Sequence, residues 1–324
     1  GPTASRWQTP RGRYRLHAKR FVTLVGIFAV TTDLVIQLLL LGLLQGGIYA
    51  LVACGLTLIY GVMKIVNFAH AEFLTLGMFL AITAFQTFGL SPYAAAPFIF
   101  GLVFILGAAA QQLVIRPALH YPQINQMLIT IGLSIFLIGA MQLIWGPNNQ
   151  VVKLPWARAT LDFPIAGGEV TLNYVRLIAA GIAVAVAALA WWTLKHTRLG
   201  NAMRAAAQNP VAARLMGIRV SRINLLTFGF GTGLAALSGA LISPAFFVNP
   251  TFGTDYFILA AFVIVVLGTM GNFVGALIGG LIIGLAEALG GMFFGASMRQ
   301  FASLTVFVVV LLFLPKGIFK GRMS

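Results

Sequence analysis

Long apolar runs separated by short polar breaks set the pattern of this chain. Runs of about 20 residues, enough to cross a hydrocarbon core as a helix, recur at 34–62, 71–88, 93–115, 125–145, 174–194, 223–247, 257–270, 273–291 and 300–314. The first is long and carries Gln45, Gly46 and Gly47, which predicts a tilted or interrupted helix. Region 257–291 holds Gly268, Gly271, Gly275, Gly279, Gly280 and Gly284 and reads as two short spans or a re-entrant pair. The spacing of Gly271, Gly275 and Gly279 is the small-xxx-small pattern that lets helices approach closely. Together these runs predict an all-α, polytopic helical membrane protein with about eight core transmembrane helices, some broken or re-entrant, plus an extra helix at the N-terminus.

Composition narrows the class further. The 324 residues are 60% hydrophobic and 8% charged, whereas a soluble domain carries about a quarter charged residues. The net charge of +15 gathers at the N-terminus, in 195–222, and at Lys316, Lys320 and Arg322. Clusters that flank apolar spans set topology and meet anionic lipid headgroups, so the basic balance points to membrane lipid and not to nucleic acid. Cys54 is the single cysteine, inside an apolar run, and reads as a packing residue. No GxxxxGK[ST], HExxH, CxxC or Ser/His/Asp arrangement is present. The chain therefore offers no catalytic or metal-ligating set, and it is not expected to be an enzyme.

Orientation follows from charge and parity. The run 195–222 holds six Lys/Arg and no acid between two spans, and such loops stay cytoplasmic. With the C-terminal tail also inside, 146–173 falls outside and 116–123 inside. That outer segment, with Asp162, Glu169 and several turn formers, is either a plain surface loop or a platform for an extracytoplasmic partner. The basic N-terminal tail then needs one more crossing to start inside, through about 21–32. Gly1 and Pro2 read as the remnant of a cleaved purification tag. Residues 6–20 resemble a signal-peptide n-region, yet no small-x-small cleavage site follows the apolar run 21–30. A retained tail is expected.

The basic run also encodes structure. Asn209 is a strong N-cap, Pro210 suits the first helical position, and Gly217 suits the left-handed residue past the end. Arg214 in the last turn complements the helix dipole. A two-turn helix over 210–216 is predicted, preceded by a helical stretch near 201–208. Helices this short are marginal alone in water. Its alanines permit close approach of another surface, and Leu215 and Met216 offer soft apolar contacts. It reads as a docking element for a soluble partner, with a solvated topology loop as the alternative.

Polar residues inside the spans are expensive and mark candidate functional positions. The block Asn67-Phe68-Ala69-His70-Ala71-Glu72 is either an inner loop with Asn67 as a cap or a helix break at depth of the kind transporters use. His70 reads as a structural histidine, or as a ligand or proton relay. Glu72 opens a helix, which its charge favours, or gates a pathway. Glu287 pairs with Arg299 or faces the path. Gln45 and Thr57 line a pore or bond a neighbouring helix.

Three blocks carry a family resemblance. MRAAAQNPVAARLMGI at 203–218, GGIYALVACGLTLIYGVMKIVNFAHAEF at 46–73 and VLGTMGNFVGALIGGLIIGLAEAL at 266–289 resemble the branched-chain amino-acid permeases of the LivH type. The stretch 211–217 is also loosely similar to the EAA-xxx-G loop of ABC importer permeases, with Val211 in place of the acid. Ala71 replaces a usual glycine. The resemblance covers 34–319 as an ABC permease domain with a coupling loop at 195–222, between a basic tail at 1–20, an extra helix at 21–33 and a C-terminal tail at 320–324. It implies a binding-protein-dependent importer in the bacterial inner membrane, built from two permease chains (the second a related, LivM-like one), two ABC ATPases and an extracytoplasmic substrate-binding protein. ATP and Mg would belong to the ATPases, with no cofactor in this chain. Coupling would fall to Arg204, Ala206, Asn209, Pro210, Ala212, Ala213, Arg214 and Gly217. The path candidates are Gln45, Thr57, Asn67, His70, Glu72 and Glu287. The implied cargo is a branched-chain or similar amino acid, with urea or short amides as a second possibility and an ion-coupled stand-alone transporter as a third.

Overall fold

The computed structural model describes residues 32–165, 168–314 and 317–318. The expected tail, most of the extra N-terminal helix and the C-terminal tail lie outside the described residues. Helix α1, Thr32–Met63, runs unbroken for 32 residues through Gln45, Gly46 and Gly47, about 48 Å at 1.5 Å per residue. It is therefore long and continuous, not interrupted. Helix α2, His70–Phe88, stops at Gly89. Helix α3, Pro92–Ala110, opens on Ser91, whose side chain accepts the amide of Ala94. It continues through a π turn, Gln111–Ile115, and a further turn, Arg116–Ala118. Helix α4 is Gln123–Trp145.

The connection at 146–173 contains a feature that the hydrophobic pattern did not predict. Strands β1, Thr160–Ile165, and β2, Gly168–Asn173, form an antiparallel hairpin with Thr160 opposite Asn173. Gln37 of α1 donates to the Thr171 carbonyl at 3.3 Å, tying the hairpin to the membrane body. Asn173 then caps helix α5, Tyr174–His196. Two short helices follow, α6 at Arg198–Gln208 and α7 at Pro210–Leu215. The chain continues through α8, Val220–Ile242, α9, Phe252–Tyr256, α10, Ile258–Leu267, α11, Phe273–Phe294, and α12, Arg299–Phe313.

Among the described residues, 7 helices are long and apolar enough to cross a membrane, while Ile258–Leu267 and Arg299–Phe313 are shorter apolar helices. Of the expected pair at 257–291, the first helix is short and the second, Phe273–Phe294, is long enough to cross. The first has 10 residues, roughly 15 Å and half a bilayer. The reason lies just upstream. After α8 the chain folds back so that α9 rests on the first turns of α2, and α10 only has to cover the remaining distance.

Glycine and alanine set the packing. Lipid supplies no hydrophobic drive between helices, so close van der Waals contact must hold them. Helix α8 is the most enclosed span, with 83% of its apolar window buried. A methyl on Gly231 would lie 2.7 Å from the Gly55 carbonyl oxygen of α1, and one on Gly77 of α2 would lie 2.1 Å from the Ala236 oxygen of α8. Helices α1 and α11 meet as closely: a methyl on Gly284 would lie 2.4 Å from the Gly42 oxygen. The predicted stripe of Gly271, Gly275 and Gly279 divides. Gly271 lies in the turn before α11 with φ +92°, Gly275 abuts Gly268, and Gly279 faces Ile264. The contact of α11 itself with α1 is made by Gly280 and Gly284, while Gly271 in the preceding turn meets Gly61 near the end of α1. Helices α3, α4 and α5 expose long apolar side chains such as Phe98, Phe136 and Leu143.

Candidate functional site

Beyond Met63 the chain leaves α1 and doubles back along it. Lys64 takes a left-handed backbone, φ +58°. His70 opens α2 with its Nε2 3.0 Å from the Val52 carbonyl oxygen. Val52 lies well short of the end of α1 at Met63, about 16 Å along the axis. Asn67, His70 and Glu72 therefore lie buried inside the bundle beside the body of α1, not beyond its end.

Glu72, in the first turn of α2, has 0% exposure. Its Oε1 accepts from Ser134 Oγ of α4 at 3.2 Å and from Thr254 Oγ1 of α9. Thr75 Oγ1 accepts the Gly253 amide at 2.9 Å, so α9 is pinned twice to the start of α2. The carboxyl also sits where the dipole of α2 favours negative charge. Asn67 Oδ1 accepts the amide of Ala69 at 3.2 Å. Three buried atoms in this node have no partner among the described residues: Asn67 Nδ2, His70 Nδ1 and Glu72 Oε2. A buried polar atom left without a partner costs about 1–3 kcal/mol.

A second polar group lies towards the hairpin end. Tyr49 of α1 donates to Glu287 Oε2 at 2.7 Å, and Ser303 of α12 donates to Glu287 Oε1 at 2.6 Å. Gln45, Tyr49, Glu287, Arg176, Asp255 and Arg299 line one cavity of about 520 Å³. The structure therefore places Gln45 and Glu287 together and keeps Asn67, His70 and Glu72 apart from them. Helix α9 stands between the two sets: Thr254 bonds Glu72, while Asp255 and Tyr256 line the cavity. Thr57 lies elsewhere, in a cavity of about 220 Å³ with Trp191, Lys195 and Arg204 at the α6–α7 end.

That end is built by capping. Thr197 Oγ1 accepts the Gly200 amide at the start of α6. Asn209 Oδ1 accepts the amides of Val211 and Ala212, each at 3.0 Å. Gly217 closes α7 with φ +83°, and the Ile218 amide reaches back to the Ala213 oxygen at 3.0 Å. Ala206 and Ala213 turn inward, forming an apolar cluster with Leu58, Met203, Val220 and Ile223. Arg204 folds back onto the Leu194 and Lys195 carbonyls and Asn201. These three residues fasten the helices to the body. Pro210, Val211, Ala212, Arg214, Leu215 and Met216 face outward, Leu215 at 84% and Met216 at 82% exposure.

Several residues at these sites escaped sequence reasoning. Ser134 and Ser303 are lone hydroxyls in apolar helices, and Tyr49, Thr254, Asp255 and Arg176 sit in ordinary contexts. A hydroxyl inside a span is a weak flag for a buried acceptor, but nothing local says which acceptor it meets.

The family model for the branched-chain amino acid transport system / permease component matches residues 38–314. The chain belongs to that family. A high-affinity branched-chain amino acid transport system permease protein, LivH, of Salmonella typhimurium is 31% identical over 293 residues, covering 86% of this chain and 92% of its own. The corresponding BraD permease of Pseudomonas aeruginosa is 30% identical over 296 residues, covering 87% and 95%. The ribose import permease protein RbsC of Escherichia coli is 39% identical over 101 residues, 29% of this chain and 32% of its own. No solved structure matches the chain. Seven apolar spans among the described residues and membership of this permease family make it a multi-pass membrane transport protein.

Proposed function

We propose that this permease is the membrane subunit of a binding-protein-dependent importer in the cytoplasmic membrane that carries branched-chain amino acids and is driven by ATP hydrolysed on separate subunits. One observation carries the energetic half of this reading. Helix α7 is capped at both ends, fastened through Ala206 and Ala213, and presents Val211, Leu215 and Met216 bare to water. An exposed apolar edge on a rigid mount fits a groove on a soluble ATPase better than it fits solvent. A pair of ATPases, a second permease chain related to this one and a binding protein docking at the hairpin end complete the assembly. ATP and Mg reside on the ATPases.

The translocation step is assigned to α9. It separates the cavity at Glu287 from the node at Glu72 and is held by two hydrogen bonds, from Thr254 to Glu72 and from the Gly253 amide to Thr75. A movement of α7 passes through Gly217 and Val220 into α8, which packs on both α1 and α2. Shifting α8 displaces the start of α2 and releases α9. The cargo is taken from the relatives named for branched-chain amino acids. The second reading, urea or short amides, draws on the ribose import permease's similarity over 101 residues, since related chains are named for different cargoes.

Purification of the intact complex with mass spectrometry of its partners, followed by leucine uptake in proteoliposomes, tests the proposal. Leucine uptake that needs ATP, the ATPases and the binding protein is expected. Uptake by this chain alone under an ion gradient overturns it.

A further inference from the structure

The cavity at the hairpin end holds a charge pattern that the coupling scheme does not use. Arg176, in the first turn of α5, and Arg299, at the start of α12, both line it, with Glu287 on the same cavity. Two neighbouring guanidiniums repel. Neither has a hydrogen-bond or ion-pair partner among the described residues, although each carries five N–H donors. Across the same space, Glu287 is nearly buried and held rigid by Tyr49 and Ser303. Each of its oxygens accepts one hydroxyl and keeps a second lone pair. Asp255 adds a second carboxylate, steadied by Thr251 at 2.8 Å. Leu38, Leu41, Phe246 and Phe257 supply apolar wall between the charges. The volume of about 520 Å³ falls in the range of roughly 300–1,000 Å³ typical of small-molecule sites.

We infer that this cavity is an entry site for a zwitterion, in which Arg176 and Arg299 take the carboxylate of an incoming amino acid, Glu287 takes its ammonium, and the leucine and phenylalanine wall takes its side chain. Resting on the amino-acid reading above, it locates the chemical selection of that reading in named residues of this chain. A carboxylate between two guanidiniums makes charge-assisted bonds and removes their mutual repulsion. The ammonium needs a fixed acceptor, and the bonds from Tyr49 and Ser303 provide one. The aliphatic side chain covers apolar wall and needs no special fit, so selection among branched chains falls elsewhere. The floor of the cavity is α9, whose Thr254 bonds Glu72, so a filled site presses on the element that separates it from the deeper node.

The test uses the complete transporter reconstituted with its cognate binding protein, and L-leucine as the probe. In Arg176→Gln with Arg299→Gln, compared at equal amounts of assembled complex, leucine turnover is expected to fall about ten- to a hundredfold, the equivalent of a lost charge-assisted bond. The apparent affinity for loaded binding protein should stay unchanged. The paired lysine variant, Arg176→Lys with Arg299→Lys, should recover a measurable part of the turnover, since charge without fork geometry is restored. A second measurement reads the site directly: tritiated leucine bound to the complex in nanodiscs without binding protein should be displaced by leucine, but at least tenfold less well by 4-methylpentanoate or 3-methylbutylamine, which each lack one charge. Unchanged turnover in the glutamine pair overturns the inference and leaves the importer reading intact. A change confined to binding-protein affinity assigns the arginines to docking and likewise overturns it. Failure of the wild-type complex to take up any branched-chain amino acid overturns both readings.

Discussion

Glu72 and Leu215 sit in opposite surroundings from those their chemistry prefers. The carboxyl is sealed inside the bundle at 0% exposure, and the leucine stands 84% exposed at the end of α7. The two regions reach these states by different means. Around Glu72, hydroxyls from α4 and α9 converge on the first turn of α2, and three further polar atoms go unpartnered among the described residues. Around Leu215, local caps at Asn209 and Gly217 satisfy the short helix, and two alanines bolt it to the body. The first region is stable only through distant elements, as suits a part that moves. The second is stable through its own sequence, as suits a part that must keep its shape while another protein presses on it.

Substitutions can break that contrast, and their expected effects on stability descend in a definite order. Gly253→Ala should be the most damaging, because the new methyl would lie 2.1 Å from the Ala71 backbone oxygen and 2.5 Å from the Thr75 hydroxyl that holds the Gly253 amide. A loss of about 3 kcal/mol is expected from such overpacking, read as a lower melting temperature in detergent with little complex assembled. Glu72→Ala strands the Ser134 and Thr254 hydroxyls and should cost about 2 kcal/mol, with uptake falling more than the ATPase rate. Glu72→Gln keeps the shape and an acceptor oxygen, so its stability should stay within about 1 kcal/mol of the parent. An uptake defect that survives in Glu72→Gln would show that the charge matters beyond the packing.

At the other region the effects shrink and change character. Gly217 has open space around it but a φ of +83°, so Gly217→Val is opposed by backbone strain of about 1–2 kcal/mol. The protein should still insert, while ATP hydrolysis runs with diminished uptake. Full coupling in this variant would remove α7 from the energy path. Leu215→Asp with Met216→Asp should change stability by no more than about 0.5 kcal/mol, as exposed sites do. Its expected signature is the loss of ATPase from the purified complex, and retention of the ATPase would contradict the docking role.

Legibility in the sequence followed the reach of each interaction. The α7 caps were plain, since Asn209, Pro210 and Gly217 act on amides two or three residues away. The polar block 67–72 was visible as a break in the hydrophobic pattern, but its depth was not. That depth depends on His70 meeting Val52 and on Thr254, 182 residues from Glu72. The glycine run at 268–284 announced close packing and misled on the partners, because a spacing of four cannot tell a helix face from the turn that holds Gly271. The run 257–270 looked like a crossing because its hydropathy is high; hydropathy records burial and not direction. Ala206 and Ala213 looked like contact surface for the same reason that makes them good anchors, which is their small size.

The membrane class, the long apolar runs and the capped helix expected over 210–216 are legible in the sequence alone, because hydropathy and capping are sums over neighbouring residues; the nine runs did not tell the seven long helices from the two short ones. Only the tertiary structure decided that α2 begins inside the bundle, that α10 is a half-span, and that Tyr49 and Glu287 meet across 238 residues to shape one wall of a charged cavity. Those outcomes rest on close helix approach and on enclosure from water. Neither exists until remote segments have packed.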